Sequence, residues 1–314
     1  MYFCFRFIPE WVSAWPQLAL FFVTLISTAA FGYLLNDFCD IKSDNIAGKA
    51  NSLQQIAPWF RVAIVLLPLV IASVSWALLH FRLCATVLFL MQLLSLIAYS
   101  VPPLRFKERS WLGVVTDAFY GHINPVFITL TAFMSFHIFN PKYALALTGL
   151  IFFCTALKGI RNILLHQIDD RKKDARAHVN TFVVKNGSLL SFNLVNRLLG
   201  FEVFILVLLI GLLSLFFPPF LLSILVFAVI TYLKFSGWKL SYLPKRQLRF
   251  KFRHFLNDYY EGWMPLFFLL LLTTRNHQLF WLLPLHLILF PSFIIKLWND
   301  LRTIRQNFKT EHDY

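Results

Sequence analysis

The sequence predicts an all-α, polytopic integral membrane protein, a helical bundle of about nine transmembrane helices. Three observations carry this. Of 314 residues, 58% are hydrophobic and only 14% are charged, with a mean hydropathy of +0.66; soluble domains carry about a quarter charged residues. Apolar stretches of about 18 residues or more recur along the whole chain. The excess positive charge, net +14, falls in alternate connections between those stretches.

Taken in order, the expected spans are 15–35, 59–79, 83–101, 113–136, 143–165, 195–216, 218–235, 255–274 and 278–298. The first ends at an acidic run beginning Asn36-Asp37, and the third at the turn-forming pair Pro102-Pro103. The fourth carries Asp117, with His122 and Asn124 beyond it. The fifth carries Lys158 and Arg161 near its end, where a cation is expensive. Pro218-Pro219 separates the sixth from the seventh. Each span is read as a helix because hydrocarbon offers the backbone no hydrogen-bond partners. Residues 1–314 read as one membrane domain with no soluble appendage, and residues 1–10 lack the h-region and cleavage site of a signal peptide.

With the N-terminus outside, the inner connections would be 36–58, 102–112, 166–194, 236–254 and the tail after 298. These hold nineteen Lys and Arg against four in the outer ones. That is the positive-inside pattern. It accounts for the net charge without nucleic acid, for which no partner is expected, and puts the inner connections on the cytoplasmic side of what is expected to be the cytoplasmic (inner) membrane. The segment 239–254 interleaves basic and aromatic residues and reads as a headgroup-facing amphipathic stretch. The four cysteines have no metal-site or disulfide spacing.

Two acidic clusters stand out: Asn36-Asp37-Phe38-Cys39-Asp40-Ile41-Lys42-Ser43-Asp44 and Asp169-Asp170-Arg171-Lys172-Lys173-Asp174. On a helix Asn36, Asp40 and Asp44 stack along one face, as do Asp170 and Asp174, and like charges so spaced repel unless a cation lies between them. Oxygen ligands without Cys or His argue for Mg²⁺, or Mn²⁺, over zinc. Magnesium is commonly shared between one or two carboxylates and substrate phosphate, so the two clusters at matching depth suggest a diphosphate held through bridging metal. Nearby cations could complete a phosphate site: Lys42, Lys49, Arg105, Lys107, Arg109, Lys158, Arg161, Arg171, Lys172 and Lys173.

The NDxxDxxxD run at Asn36–Asp44, the DxxxD at Asp170–Asp174 and the intervening Tyr99-Ser-Val-Pro-Pro-Leu-Arg105-Phe-Lys107 together resemble the UbiA superfamily of intramembrane prenyltransferases, in order and in separation, over about residues 15–235. The sequence departs from the family pattern at His178, where glycine is common, in having one span rather than two before the first motif, and in having four rather than three after the second. The resemblance implies an isoprenyl diphosphate bound through Mg²⁺ on the two Asp-rich motifs, with Asn36, Asp37, Asp40, Asp44, Asp169, Asp170 and Asp174 as the metal set. The metal would neutralise the leaving diphosphate and an acceptor would capture the allylic cation, in an apolar tunnel whose aromatic faces favour positive charge. The partners implied are a prenyl diphosphate, an acceptor of unknown identity and membrane lipid.

On the acceptor side, Asp117 is expected as a functional group because it is an ionisable residue inside a span, and His166 as a possible base. Asp258 and Glu261 form a third acidic group. Two other readings stay open: transfer of phosphoribose to a polyprenyl phosphate, and a cation-coupled transporter, which would instead place its charges near mid-bilayer.

Overall fold

Helix α1 (Trp15–Ala47) is 33 residues long, about 50 Å at 1.5 Å per residue, and so outruns a hydrocarbon core of about 30 Å. The expected loop after residue 35 is therefore helix as far as Ala47, and the first acidic motif lies on that extension. Helix α6 (Pro141–Arg176) does the same with 36 residues, capped by Asn140, whose side chain accepts from Lys142 N at 3.1 Å. It carries the second motif on its last turns, where a loop was expected from 166 onward.

The computed structural model describes residues 15–133, 140–234, 254–275 and 277–312, and the 239–254 segment singled out above lies almost wholly outside them. Among the described residues there is no strand, only an isolated bridge between Ser110 and Thr181. Contacts group the chain into two compact units, one ending at Leu206 and the other beginning at Val207.

In the first unit α1 packs along α2 (Pro58–Leu79) and α3 (Leu83–Ser100). Phe21, Ala72, Trp76, Phe89 and Ile128 form one buried cluster, with the Trp76 and Phe89 rings stacked 4.5 Å apart. The expected fourth span is continuous but irregular: α4 (Trp111–Ala118), a π turn at Phe119–Ile123, then α5 (Asn124–Phe133). It lies against α6 at Gly159, where an added Cβ would stand 2.9 Å from Ala118 Cα and Cβ. Small residues permit such approach between membrane helices. After α6 come a short α7 (Phe182–Asn186) and α8 (Ser188–Phe216), which runs across the boundary between the units. Val114, Leu164, Phe182, Val183 and Val195 make a second buried cluster joining α4, α6, α7 and α8.

The second unit contains α9 (Pro219–Tyr232), a π turn at Tyr259–Trp263, α10 (Met264–Arg275), α11 (Leu282–Leu289) and α12 (Pro291–His312). Asp258 is paired with Lys296, and Lys234 donates to Asp300 at 2.8 Å. The first of these pairs accounts for Asp258 of the third acidic group. Among the described residues five helices are long and apolar enough to cross a membrane: α1, α2, α3, α6 and α8. They become six if α11 and the following helix, bent by 77°, count as one span.

Candidate functional site

The loop between α3 and α4 delivers two cations to the first acidic motif. Arg105 takes a left-handed backbone conformation, φ +37, a strain of the kind concentrated at functional sites. Its guanidinium donates to Asp40 Oδ1 at 3.0 Å, to the Cys39 carbonyl at 3.4 Å and to Glu108 Oε1 at 2.6 Å. Lys107 donates to Asn36 Oδ1 at 2.9 Å and to Asp40 Oδ2. Because Asn36 and Asp40 are one helical turn apart, a single ammonium reaches both. Burial pushes the Lys107 ammonium below the usual lysine range, and the Asp40 carboxylate opposes that only in part. Gly113 fixes the loop's position: a Cβ there would lie 2.7 Å from Phe106 O and 2.9 Å from Lys107 Cα.

The loop after α1 crosses from the first motif to the second. Asn51 Nδ2 donates to the Asp37 carbonyl at 2.8 Å and to Asp44 Oδ2 at 2.7 Å, while Ser52 Oγ donates to Asp37 Oδ2 at 2.5 Å. Lys49, on the same loop, donates to Asp174 Oδ1 at 2.9 Å and Asp170 Oδ2 at 3.2 Å. Burial works against its charge, but the carboxylates of Asp174 and Asp170 outweigh it and hold the ammonium above the usual lysine range. Helices α1 and α6 also touch, and the loop at Lys49 to Ser52 links the two motifs.

The loop beyond α6 closes beside that site. Asp174 O accepts from Val179 N at 2.9 Å, and Gln167 Oε1 accepts from Val183 N at 3.3 Å. His178, standing where glycine is common in the resembled family, takes φ +57. That is the left-handed conformation glycine enters without penalty.

Other expected residues lie elsewhere. Arg161 has a partner within the bundle: its side chain is fully buried and holds Glu202 through Nε–Oε2 at 2.5 Å and Nη2–Oε1 at 3.0 Å. A guanidinium in apolar surroundings needs a bidentate anion to offset its desolvation, and Glu202, inside the apolar run of α8, supplies it. Lys158 is half-buried one turn earlier on α6. Lys42 and Asp169 are exposed. His166 and Lys173 are exposed too, each 3.8 Å from Asp170. Asp117 accepts from the Tyr120 hydroxyl at 2.6 Å.

Asn51, Ser52, Glu108 and Glu202 were missed by sequence reasoning. Glu202 had a signal, being an acid inside an apolar span opposite an Arg inside another. Asn51 and Ser52 had none, since loop geometry alone brings them to Asp37 and Asp44.

The residues fit magnesium. Asp170 and Asp174 already converge on one cation, the Lys49 ammonium, and the donors are carboxylate and amide oxygens. Among the described residues no three His, Cys, Asp or Glu side chains gather as a metal site.

The chain was compared with protein families, curated proteins and solved structures. The model of the UbiA prenyltransferase family matches residues 3–257. No curated protein and no solved structure matches.

Proposed function

Since the chain belongs to the UbiA prenyltransferase family, an integral membrane family, we propose that it transfers a prenyl group from a polyprenyl diphosphate to a small-molecule acceptor, with Mg²⁺ (Mn²⁺ as substitute) as cofactor. The observation that carries this reading is the Lys49 bridge, which joins the loop of the first acidic motif to both aspartates of the second. Two carboxylate faces joined this way can share one diphosphate.

Asn36, Asp37, Asp40 and Asp44 would hold metal on one side, and Asp170 and Asp174 on the other. When bound, magnesium supplies charge neutralisation of the departing diphosphate. Lys49, Arg105 and Lys107 already stand among these carboxylates and would turn toward phosphate oxygens once the carboxylates take other partners. An Arg fork and two ammoniums suit phosphate in this role. Asp169, Lys42, Lys158 and Lys173 are left as outlying charges of the same face. Asp117, and His166 beside Asp170, are the proposed groups toward the acceptor. The concentration of Lys and Arg in alternate connections supports a cytoplasmic-facing site in the inner membrane.

The test is radiolabel transfer from isoprenyl diphosphates of several lengths in membranes carrying the protein, with and without EDTA, beside Asp40→Ala. Metal-dependent product absent in Asp40→Ala is the expected result. No transfer from any diphosphate, but lipid product from a phosphoribosyl donor and polyprenyl phosphate, would overturn the proposal.

A further inference from the structure

The described residues hold a polar cluster that metal and diphosphate leave unused. Asp117 accepts from Tyr120 Oη at 2.6 Å, and Tyr99 stands within electrostatic reach of it. The two phenol rings meet edge to face, centroids 5.1 Å apart and planes at 70°. All three side chains are partly buried, none fully. Tyr99 is next to Ser100, whose hydroxyl donates to Asn36 Oδ1 at 3.4 Å. Its phenol lies within electrostatic reach of Asp40, Asp174 and Asp117 together. The cluster therefore borders the proposed diphosphate site.

Its shape is held by a device readable at atomic level. Asn124 N bonds Phe119 O, five residues back, closing the π turn. Pro125 follows and has no N–H to offer, so the Tyr120 carbonyl lacks a helical donor. Gln92 Nε2 supplies one at 2.8 Å, and Gln92 Oε1 in turn accepts from Asn124 Nδ2 at 2.9 Å. The wide turn that sets Tyr120 against Asp117 is thus braced from α3, and π turns of this kind recur at functional sites.

The chemistry of the cluster selects its ligand. One phenol, that of Tyr120, donates to the Asp117 carboxylate and fills only part of its acceptor capacity of about four lone-pair positions. What remains accepts a hydroxyl and repels a second anion. Arg105 and Lys107 are paired with Asp40 and, on the proposed function, turn to diphosphate rather than to the acceptor, and the nearby imidazole of His166 faces Asp170. We propose that Tyr99, Asp117 and Tyr120 form the acceptor site and that it takes an acceptor through a hydroxyl, with no carboxylate on that acceptor. This rests on the prenyl-transfer reading above.

The experiment uses the full chain in lipid vesicles with Mg²⁺ and labelled geranyl or geranylgeranyl diphosphate, offered hydroquinone or 4-hydroxybenzoate. These probes share a ring and a hydroxyl and differ by the carboxylate. Diphosphate release is followed separately. The expected result is a KM for hydroquinone roughly tenfold or more below that for 4-hydroxybenzoate. Asp117→Asn should raise the hydroquinone KM by roughly 10- to 100-fold, the range for losing a hydrogen bond to a charged group, with the donor KM unmoved and the preference between probes narrowed. Tyr120→Phe, which keeps the ring, should shift the acceptor KM in the same direction by less. Equal use of both probes by the wild type, or a donor KM that moves while the acceptor KM does not, would overturn the assignment. So would diphosphate release with transfer to neither probe. Failure of the wild type to release diphosphate from any donor would overturn the prenyl-transfer reading itself.

Discussion

Replacing Glu202 with alanine tests whether Arg161 belongs to the scaffold or to the diphosphate site. Both side chains are fully buried, and two charge-assisted contacts join them at 2.5 and 3.0 Å. At roughly 1.5–3 kcal/mol for each hydrogen bond to a charged group, the loss is about 3–6 kcal/mol. The cost of orphaning one member of a buried ion pair, about 3–5 kcal/mol, agrees with that. Equilibrium unfolding of the purified protein in mixed micelles should show Glu202→Ala destabilised within that range. The double variant Arg161→Met with Glu202→Leu removes both charges and should recover most of the loss, since apolar replacement of a whole buried pair is often neutral. A Glu202→Ala loss below about 1 kcal/mol, or a double variant no better than the single, would refute the structural assignment. So would a folded double variant that no longer binds donor diphosphate in the presence of magnesium, because Arg161 would then act on the substrate.

Other outcomes follow from the same geometry. Asp40→Asn should lower transfer by at least about 100-fold, or about 2.7 kcal/mol, while the protein stays folded by circular dichroism. EDTA should abolish transfer by the wild type and Mg²⁺ restore it, read as labelled product. Lys49→Met removes the ammonium between Asp170 and Asp174, so its thermal stability should fall in EDTA and rise with Mg²⁺ more than the wild type's. At a hundred times the dissociation constant the ligand contributes about 2.7 kcal/mol. Gly113→Ala should push the loop at Phe106 and Lys107 away from α4, costing about 1–3 kcal/mol for overpacking and raising the donor KM.

The membrane-helical class was legible in the sequence because hydropathy over about 20 residues is a local quantity. The two acidic motifs were legible for a similar reason: aspartates four apart share a helix face whatever else the chain does. Their helical extension past the apolar run was not, since Asp40 and Asp174 look equally at home in a solvated loop. Arg161 was read toward phosphate because its partner is 41 residues away on another helix, and no local pattern links them. The π turn at Phe119–Ile123 left a trace in Pro125, but the glutamine that completes it comes from α3. Lys49 looked like any topology-setting lysine; the loop at Asn51 and Ser52, which ties back to Asp37 and Asp44, follows it by only two residues.

The cations that occupy the aspartates also bear on how such a site can be made at all. Five aspartates (37, 40, 44, 170 and 174) lie on two helices that touch, and Lys49, Arg105 and Lys107 lie among them. Assembling those helices in a bilayer without counterions would set like charges against each other at low dielectric. On the proposed function, its own ammoniums and guanidinium balance these charges until metal and substrate bind. Loading then becomes an exchange of partners. A dication alone would crowd the resident lysines, and a free diphosphate alone would draw them away and leave bare carboxylates. On the proposed function, the species that enters without either imbalance is the diphosphate already chelated, so metal and donor should load together rather than in sequence.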